Sequence, residues 1–136
     1  MKMRRLFLMV ILCCLFPVVG LGQRIYDRGG SYIGKYENEK MYDRGGSYIG
    51  KVSSDRIYDR GGSYIGKVSD GKFYNRGGSY IGKISDDRIY DRGGSYLGQI
   101  RNGYVYDRGG SLIGKAPDVP EQIIAAIFFF RFFPMN

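Results

Sequence analysis

Residues 56–70 read RIYDRGGSYIGKVSD, and this stretch decides the fold because the chain repeats it, with small changes, every 16 residues. A self-similar period is the signature of a repeat architecture. The copies are marked by tyrosines at one equivalent position, namely Tyr26, Tyr42, Tyr58, Tyr74, Tyr90 and Tyr106. The sequence therefore predicts six copies of one supersecondary unit.

Each unit has the pattern of a β-hairpin. Two runs rich in Tyr, Ile and Val flank Gly61-Gly62, and a glycine pair between such runs is typical of a tight turn with positive φ. The links Asp70-Gly71 and Asn102-Gly103 are also two-residue hairpin signals. Frequent glycine and β-branched residues disfavour helix. We expect an all-β antiparallel meander of about twelve short strands, closed or stacked like a flower so that hairpins share a core and strand edges are protected.

Two-residue turns would also fix the register of each hairpin. With a turn at Gly61-Gly62, Tyr58 would lie opposite Ile65 and Ile57 opposite Gly66. Alternation along the strands then predicts an inward face of Ile57, Val68, Phe73, Tyr64, Asp59 and Gly66, and an outward face of Tyr58, Ile65, Arg56, Arg60, Lys67 and Ser63. Every unit has a glycine at the position equivalent to Gly66. A glycine inside a strand indicates close approach by another group, for which a tyrosine ring or the facing Ile is the candidate.

The N-terminus has the pattern of a secretory signal peptide over residues 1–22. A positive start at residues 2–5 precedes an apolar run at 6–21, and Gly20-Leu21-Gly22 supplies small residues before Gln23. The alternative is an uncleaved membrane anchor, but the run is short against the roughly 20 residues of a spanning helix. We expect export and no spanning segment after cleavage.

The composition after cleavage excludes several kinds of chemistry. Cys13 and Cys14 both lie in the leader, and the chain has no His and no Trp. Disulfides, thiolate chemistry, the commonest general base and the commonest metal ligand are therefore absent from residues 23–136. Removing the three basic leader residues lowers the formal net charge from +8 to +5, which suits a polyanionic partner and equally a soluble surface without one.

The repeat stops after Lys115, so residues 23–116 form the predicted six-repeat domain and residues 117–136 a proline linker and an apolar tail. Between residues 123 and 133 only Arg131 is not apolar, and this length is too short to span a bilayer as a helix. Our first interpretation is a short buried helix that plugs the core, with Glu121 in its first turn. A final strand, or a segment that contacts a membrane surface or a partner, are the alternatives.

Repeats of Ile-Tyr-Asp-Arg-Gly-Gly-Ser-Tyr-Ile-Gly-Lys, behind a signal peptide and ahead of a Phe-rich tail, resemble the 4-fold beta flower proteins over residues 24–133. The resemblance implies hairpins arranged like petals about an axis, and it supplies no activity. Because this chain has six units and not four, whether all six join one ring stays open.

Two sets of repeated side chains form the candidate binding face. One set is Arg28, Arg44, Arg60, Arg76, Arg92 and Arg108, and the other is Tyr26, Tyr42, Tyr58, Tyr74, Tyr90 and Tyr106. The arginines could grip carboxylates, phosphates or sulfates, or each could pair with a local Asp in a solvated face. The tyrosines could stack on sugar rings, or could serve only as cross-strand packing partners.

The repeated Asp, as at Asp59, could form a calcium ladder, although calcium requires six to eight oxygen ligands. Alternatively, each Asp accepts hydrogen bonds from backbone N–H groups of its own turn, and Asn75 in the fourth unit favours this reading. Without His the repeated serines cannot assemble a hydrolase triad, and a uniform repeat does not supply the asymmetric carboxylate pair of a glycosidase. We expect no catalytic, cofactor or metal site.

These observations predict an exported, non-enzymatic β-repeat protein of the periplasm or cell surface, acting as a structural or interaction module of the bacterial envelope. The alternative is a carbohydrate- or polyanion-binding protein that uses the Arg/Tyr face. The expected partner is an envelope glycan, another polyanion or another protein, and nucleic acid is not the expected ligand.

Overall fold

The computed structural model describes residues 23–135. The predicted signal peptide and both cysteines lie outside the described residues. No helix within residues 23–135 has the length and apolar character needed to cross a membrane.

The described part of the chain folds into twelve short strands followed by one helix. In chain order they are β1 Gln23–Asp27, β2 Tyr32–Glu37, β3 Lys40–Asp43, β4 Tyr48–Ser53, β5 Arg56–Asp59, β6 Tyr64–Ser69, β7 Lys72–Asn75, β8 Tyr80–Ser85, β9 Arg88–Asp91, β10 Tyr96–Arg101, β11 Tyr104–Asp107, β12 Leu112–Lys115 and α1 Glu121–Phe128.

All six repeats join one closed antiparallel barrel. Each strand pairs with the next one in sequence, and β12 returns to pair with β1. The closing pairs are Tyr26 with Lys115 and Asp27 with Gly114. The prediction of an all-β meander of hairpins is confirmed, and closure removes the free strand edges that an open meander would leave.

The turns between units have two residues, as predicted. Ser69 pairs with Lys72 and Val68 with Phe73, and the turn residues Asp70 and Gly71 have φ of 53° and 76°. Positive φ at both positions defines the type I′ turn, whose twist matches that of antiparallel strands. The other turns of this kind are at Asn38-Glu39, Ser54-Asp55, Asp86-Asp87 and Asn102-Gly103.

The Asp-Arg-Gly-Gly turns differ from the prediction. The Asp59 N–H donates to the Ser63 carbonyl at 2.9 Å, and the Gly62 N–H donates to the Asp59 carbonyl at 3.0 Å. The loop therefore has three residues, and its last residue, Gly62, takes positive φ (87°), as three-residue hairpin loops require. Gly61 does not have positive φ, and its N–H and that of Ser63 donate to the Asp59 side chain.

This loop and the bulge that follows it change the register by one residue. Ile57 pairs with Gly66 as predicted, but Tyr58 pairs with Tyr64 and not with Ile65. Because one residue reverses the side of the sheet, Tyr64 points outward beside Tyr58, whereas Ile65 packs against the core. The predicted faces of Tyr64 and Ile65 were therefore wrong.

The inward assignments of Ile57, Val68, Phe73 and Gly66 are confirmed, whereas Asp59, also assigned inward, is not buried because its carboxylate caps its own turn. Ile57 is fully buried and Val68 is 2% exposed. The residues equivalent to Ile57, which are Ile25, Met41, Phe73, Ile89 and Val105, are also fully buried. They belong to one apolar cluster that includes helix α1 and the tail, so the barrel interior is a packed core.

The C-terminal segment plugs this core. Residues 123–127 of α1 are buried, and Phe133 is 2% exposed. Each unit's strand glycine, at the position equivalent to Gly66, contacts one side chain of the tail, and the tail visits the units in reverse chain order. The contacts are Phe128 on Gly114, Phe129 on Gly98, Phe130 on Gly82, Phe132 on Gly66, Phe133 on Gly50 and Met135 on Gly34. The buried-helix interpretation is confirmed, and the group that approaches each glycine is a tail side chain and not the tyrosine ring or Ile that was expected.

The geometry explains why glycine occupies these positions. A Cβ built on Gly82 would lie 2.6 Å from two ring carbons of Phe130 and 2.5 Å from the Tyr90 carbonyl oxygen. Phe130 in turn stacks on Phe73, with ring centroids 4.4 Å apart. Each repeat thus contributes an empty position that one tail residue fills.

Candidate functional site

The loop arginines lie at one end of the barrel, where they are exposed. They are Arg28, Arg44, Arg60, Arg76, Arg92 and Arg108, and none of them forms an ion pair with another residue of the described chain. The Asp59 Oδ1 atom instead accepts the N–H groups of Gly61 and Ser63, both at 2.9 Å. Asn75 makes the same two bonds at 3.0 Å. The turn-capping hypothesis for the repeated Asp is confirmed, and Arg–Asp pairing was wrong.

The candidate tyrosines lie on the outer wall of the barrel and are half-buried. Tyr58 packs edge-to-face on Tyr64, with ring centroids 6.2 Å apart and an interplanar angle of 68°. The same pair recurs as Tyr26–Tyr32, Tyr42–Tyr48, Tyr74–Tyr80 and Tyr90–Tyr96. In the sixth unit Leu112 pairs with Tyr106, so that unit lacks the second ring.

A lysine from the neighbouring unit lies over the ring of five of the six candidate tyrosines, and at the sixth, Tyr106, the opposite residue is Gln99. Lys67 Nζ is 5.3 Å from the centroid of the Tyr74 ring, a distance at which a cation is attracted to the ring face. Lys35, Lys51 and Lys83 repeat this contact on Tyr42, Tyr58 and Tyr90. Lys115 lies 5.3 Å from the Tyr26 ring centroid, so the same contact joins the last unit to the first.

The outer wall also places cations directly opposite one another. Arg56 pairs with Lys67, Lys40 with Lys51, and Lys72 with Lys83 across the strands of the second, third and fourth units. Like charges at directly opposed positions destabilise a sheet. In the first unit Lys35, opposite Arg24, forms an ion pair with Glu37 at 3.0 Å, and this contact raises the pKa of Lys35.

These side chains form a groove on the third hairpin. In the third unit Arg56, Tyr58, Tyr64 and Lys67 line an outward-facing groove of about 360 Å³. Arg60 does not line it, so the predicted face divides into a rim of loop arginines and a wall of tyrosine grooves. We define the tyrosine grooves as the outward surfaces made by these four residues and by their equivalents in the second and fourth units.

Sequence reasoning missed three of the four groove residues. Tyr64 was assigned inward because the loop was expected to have two residues, and Arg56 and Lys67 were placed outward but were not selected as site residues. The available signal was the recurrence of lysine at positions 35, 51, 67, 83 and 115. Lysine recurring at one fixed position of the repeat, close to a recurring tyrosine, indicates a specific lysine–tyrosine contact.

The opposite end of the barrel carries the two-residue turns and the start of α1. Burial raises the pKa of the Glu121 carboxyl to about 7, and a hydrogen bond with Asp87 and its charge add to the shift. Within residues 23–135 no cluster of three or more His, Cys, Asp or Glu side chains is placed to hold a metal ion.

Comparison with known proteins agrees with this architecture. The sequence profile of the 5-fold beta-flower protein family matches residues 22–133, whereas searches of curated proteins and of solved structures gave no match. The resemblance to beta-flower proteins is thus confirmed, with the 5-fold and not the 4-fold family as the one that matches, and this chain itself closes six units. Beta-flower proteins are not a known enzyme family. The chain belongs to the 5-fold beta-flower protein family.

Proposed function

We propose that this protein is an exported, non-enzymatic interaction module of the bacterial cell envelope, in the periplasm or on the cell surface. Its contact surface is the set of tyrosine grooves, and its ligand is an acidic carbohydrate chain or a similar extended polyanion. The closed repeat barrel presents the same set of two cations and two tyrosines on three neighbouring units of its wall, which suits a polymer made of repeated units.

The opposed cations carry this proposal. Arg56 and Lys67 face each other on adjacent strands, an arrangement that destabilises the free protein. An anion bound between them would relieve the repulsion and would be held by both charges. Tyr58 and Tyr64 lie in the same groove, so a sugar ring could stack beside the bound carboxylate or sulfate.

Because the groove is repeated, the protein can bind a polymer tightly even if each single groove binds weakly. The second, third and fourth units are adjacent in the barrel, and each has the opposed cations and the tyrosine pair. Linked sites on one polymer raise the effective concentration for each further contact, and the resulting avidity can exceed the affinity of one site by about 10²–10⁴. A long acidic chain should therefore bind much better than its disaccharide unit.

The test is retention of the purified protein on heparin resin, with neutral dextran resin as reference. We expect retention on heparin at low salt that falls as salt rises, because salt screens the charges. Changing Lys51, Lys67 and Lys83 together to Gln should abolish most of it. Gln is the natural residue at the equivalent position 99, so this variant should keep its fold, and the repulsion it removes is offset by the lost lysine–tyrosine contacts.

The matched control changes Arg44, Arg60 and Arg76 together to Gln. It removes the same three charges from the loops of the same units, and the proposal predicts retention close to that of the parent protein, with little change in stability. Equal loss in both triple variants would mean that net charge alone governs binding. No retention of the parent protein at low salt would exclude a polyanion ligand.

Export is tested separately by cell fractionation and N-terminal sequencing. We expect the protein outside the cytoplasm, with Gln23 as its first residue, because small residues precede that position. Recovery of the intact chain in the cytoplasm would contradict the proposal.

A further inference from the structure

The tail that plugs the barrel leaves a seam where its start and its end meet. Its side chains visit the six units in turn, from Phe128 on the sixth unit to Met135 on the first. The sixth and first units are neighbours in the closed ring. The tail therefore begins and ends at the same junction between units. All six strand glycines are already covered by tail side chains, so no further glycine contact fills the space between the two ends of the tail.

A groove of about 560 Å³ lies at this seam. Its walls are apolar and come from both units and both ends of the tail: Ile33, Ile113, Ile127, Phe128, Phe133, Pro134 and Met135. Two cations, Arg28 and Arg131, complete the lining. We call this feature the seam groove.

Arg131 occupies its position at a conformational cost. Its φ is 51°, a left-handed conformation that is unfavourable for residues other than glycine. The side chain is exposed and makes no ion pair within the described chain. Packing of Phe130 and Phe132 on consecutive units fixes the bend, but it does not require an arginine at the bend.

We propose that the seam groove binds a single-chain anionic amphiphile, with its carboxylate or phosphate head held by Arg28 and Arg131 and its hydrocarbon chain on the apolar walls. Ligand sites of this size are mostly apolar with a few polar groups that fix orientation. Guanidinium groups suit carboxylate and phosphate heads. A polysaccharide does not fit these apolar walls, so the seam groove differs in ligand class from the tyrosine grooves.

The proposal is tested by calorimetric titration of the protein, expressed from its full-length sequence and purified as the cell delivers it. The probes are dodecanoate, dodecyl phosphate and dodecyltrimethylammonium, each below its micelle concentration. We expect saturable binding of both anionic probes at one site per chain and no binding of the cationic one. Lengthening octanoate to dodecanoate should tighten binding roughly twofold per methylene, half the value for full burial because the groove is open on one side.

Variants then locate the site. Arg28→Gln and Arg131→Gly should each weaken dodecanoate binding roughly tenfold, the loss typical of one charge-assisted hydrogen bond. Glycine accepts the left-handed conformation, so Arg131→Gly should not lower the melting temperature. Arg131→Gln is a second variant at the same position. Arg60→Gln is the matched control, since it changes the same loop position two units away and should leave binding unchanged.

Three results would overturn the proposal: no saturable binding of the anionic probes, equal binding of the cationic probe, or equal weakening by Arg60→Gln. Binding to phosphatidylglycerol vesicles without binding of dispersed dodecanoate would also overturn it, because a membrane surface would then be the ligand. The triple lysine variant of the tyrosine grooves should bind dodecanoate normally, so failure of one proposal is distinguishable from failure of the other.

Discussion

The strongest structural prediction concerns Phe133 in the tail. We expect Phe133→Ala to destabilise the protein strongly, because this side chain is only 2% exposed and lies on Gly50, where a built Cβ would come within 2.7 Å of the ring. The facing residue is glycine, so it has no side chain that could move into the vacated space. The hydrogen-bonded ring of strands also prevents the walls from collapsing inward.

The magnitude follows from burial. A buried aromatic residue removes about 150–250 Å² from water, which at about 25 cal/mol per Å² contributes roughly 4–6 kcal/mol. Alanine retains a small part of this, and measured Phe-to-Ala losses in cores are about 3–5 kcal/mol. At about 4 °C per kcal/mol for a domain near this size, the melting temperature should fall by roughly 12–20 °C.

Thermal and urea unfolding followed by circular dichroism give the measurement. Phe133→Leu should lose much less, and Pro134→Ala, at an exposed neighbour, should change stability by less than about 0.5 kcal/mol. A loss below about 1 kcal/mol for Phe133→Ala would refute the plug, because a core side chain of this size cannot be removed so cheaply.

Three further predictions concern the two ends of the barrel. The pKa of Glu121 is about 7 in the folded protein, against an ordinary value of 4.5. The contribution of Glu121 to stability is therefore full below pH 4.5 and is lost as pH rises through 7. In melting curves from pH 4.5 to 8, Glu121→Gln should remove this decline and should be more stable than the parent protein at pH 8. Asp55 has φ of 69° at the second position of a type I′ turn, so Asp55→Gly should raise the melting temperature by about 2–4 °C, corresponding to roughly 0.5–1 kcal/mol. No rise would count against backbone strain at Asp55. Asp59→Ala should cost about 1–2 kcal/mol in urea unfolding because it removes the acceptor of two N–H bonds, whereas Asp59→Asn should be nearly neutral, as Asn75 makes the same bonds; equal losses would contradict the capping role.

Much of the fold could be predicted because its information is local. The period fixes six hairpins, and Asp70-Gly71 specifies a type I′ turn by its own backbone preferences. That turn sets the register, so burial of Val68 and Phe73 follows from alternation along two strands. No distant contact is needed for these conclusions.

Prediction failed where one residue of loop length mattered. Gly61-Gly62 suggested a two-residue turn, but hydrogen bonds from Gly61 and Ser63 to the Asp59 carboxylate produce a three-residue loop. The loop and the bulge after it exchange the sides of Tyr64 and Ile65. The tyrosine grooves depend on that exchange, so they could not be read correctly from the assumed register.

The sequence alone determined the repeat, the hairpins, the inward positions of Ile57 and Val68 and the apolar character of the tail, because each depends on the spacing of neighbouring residues. Only the tertiary structure decided that six units close one ring, that tail residues such as Phe130 fill glycine positions such as Gly82, and that the tail's two ends meet at the seam groove. The physical reason is that closure depends on twist accumulated over all twelve strands and on the volume left inside them. Both are properties of the assembled barrel, and no single repeat encodes them.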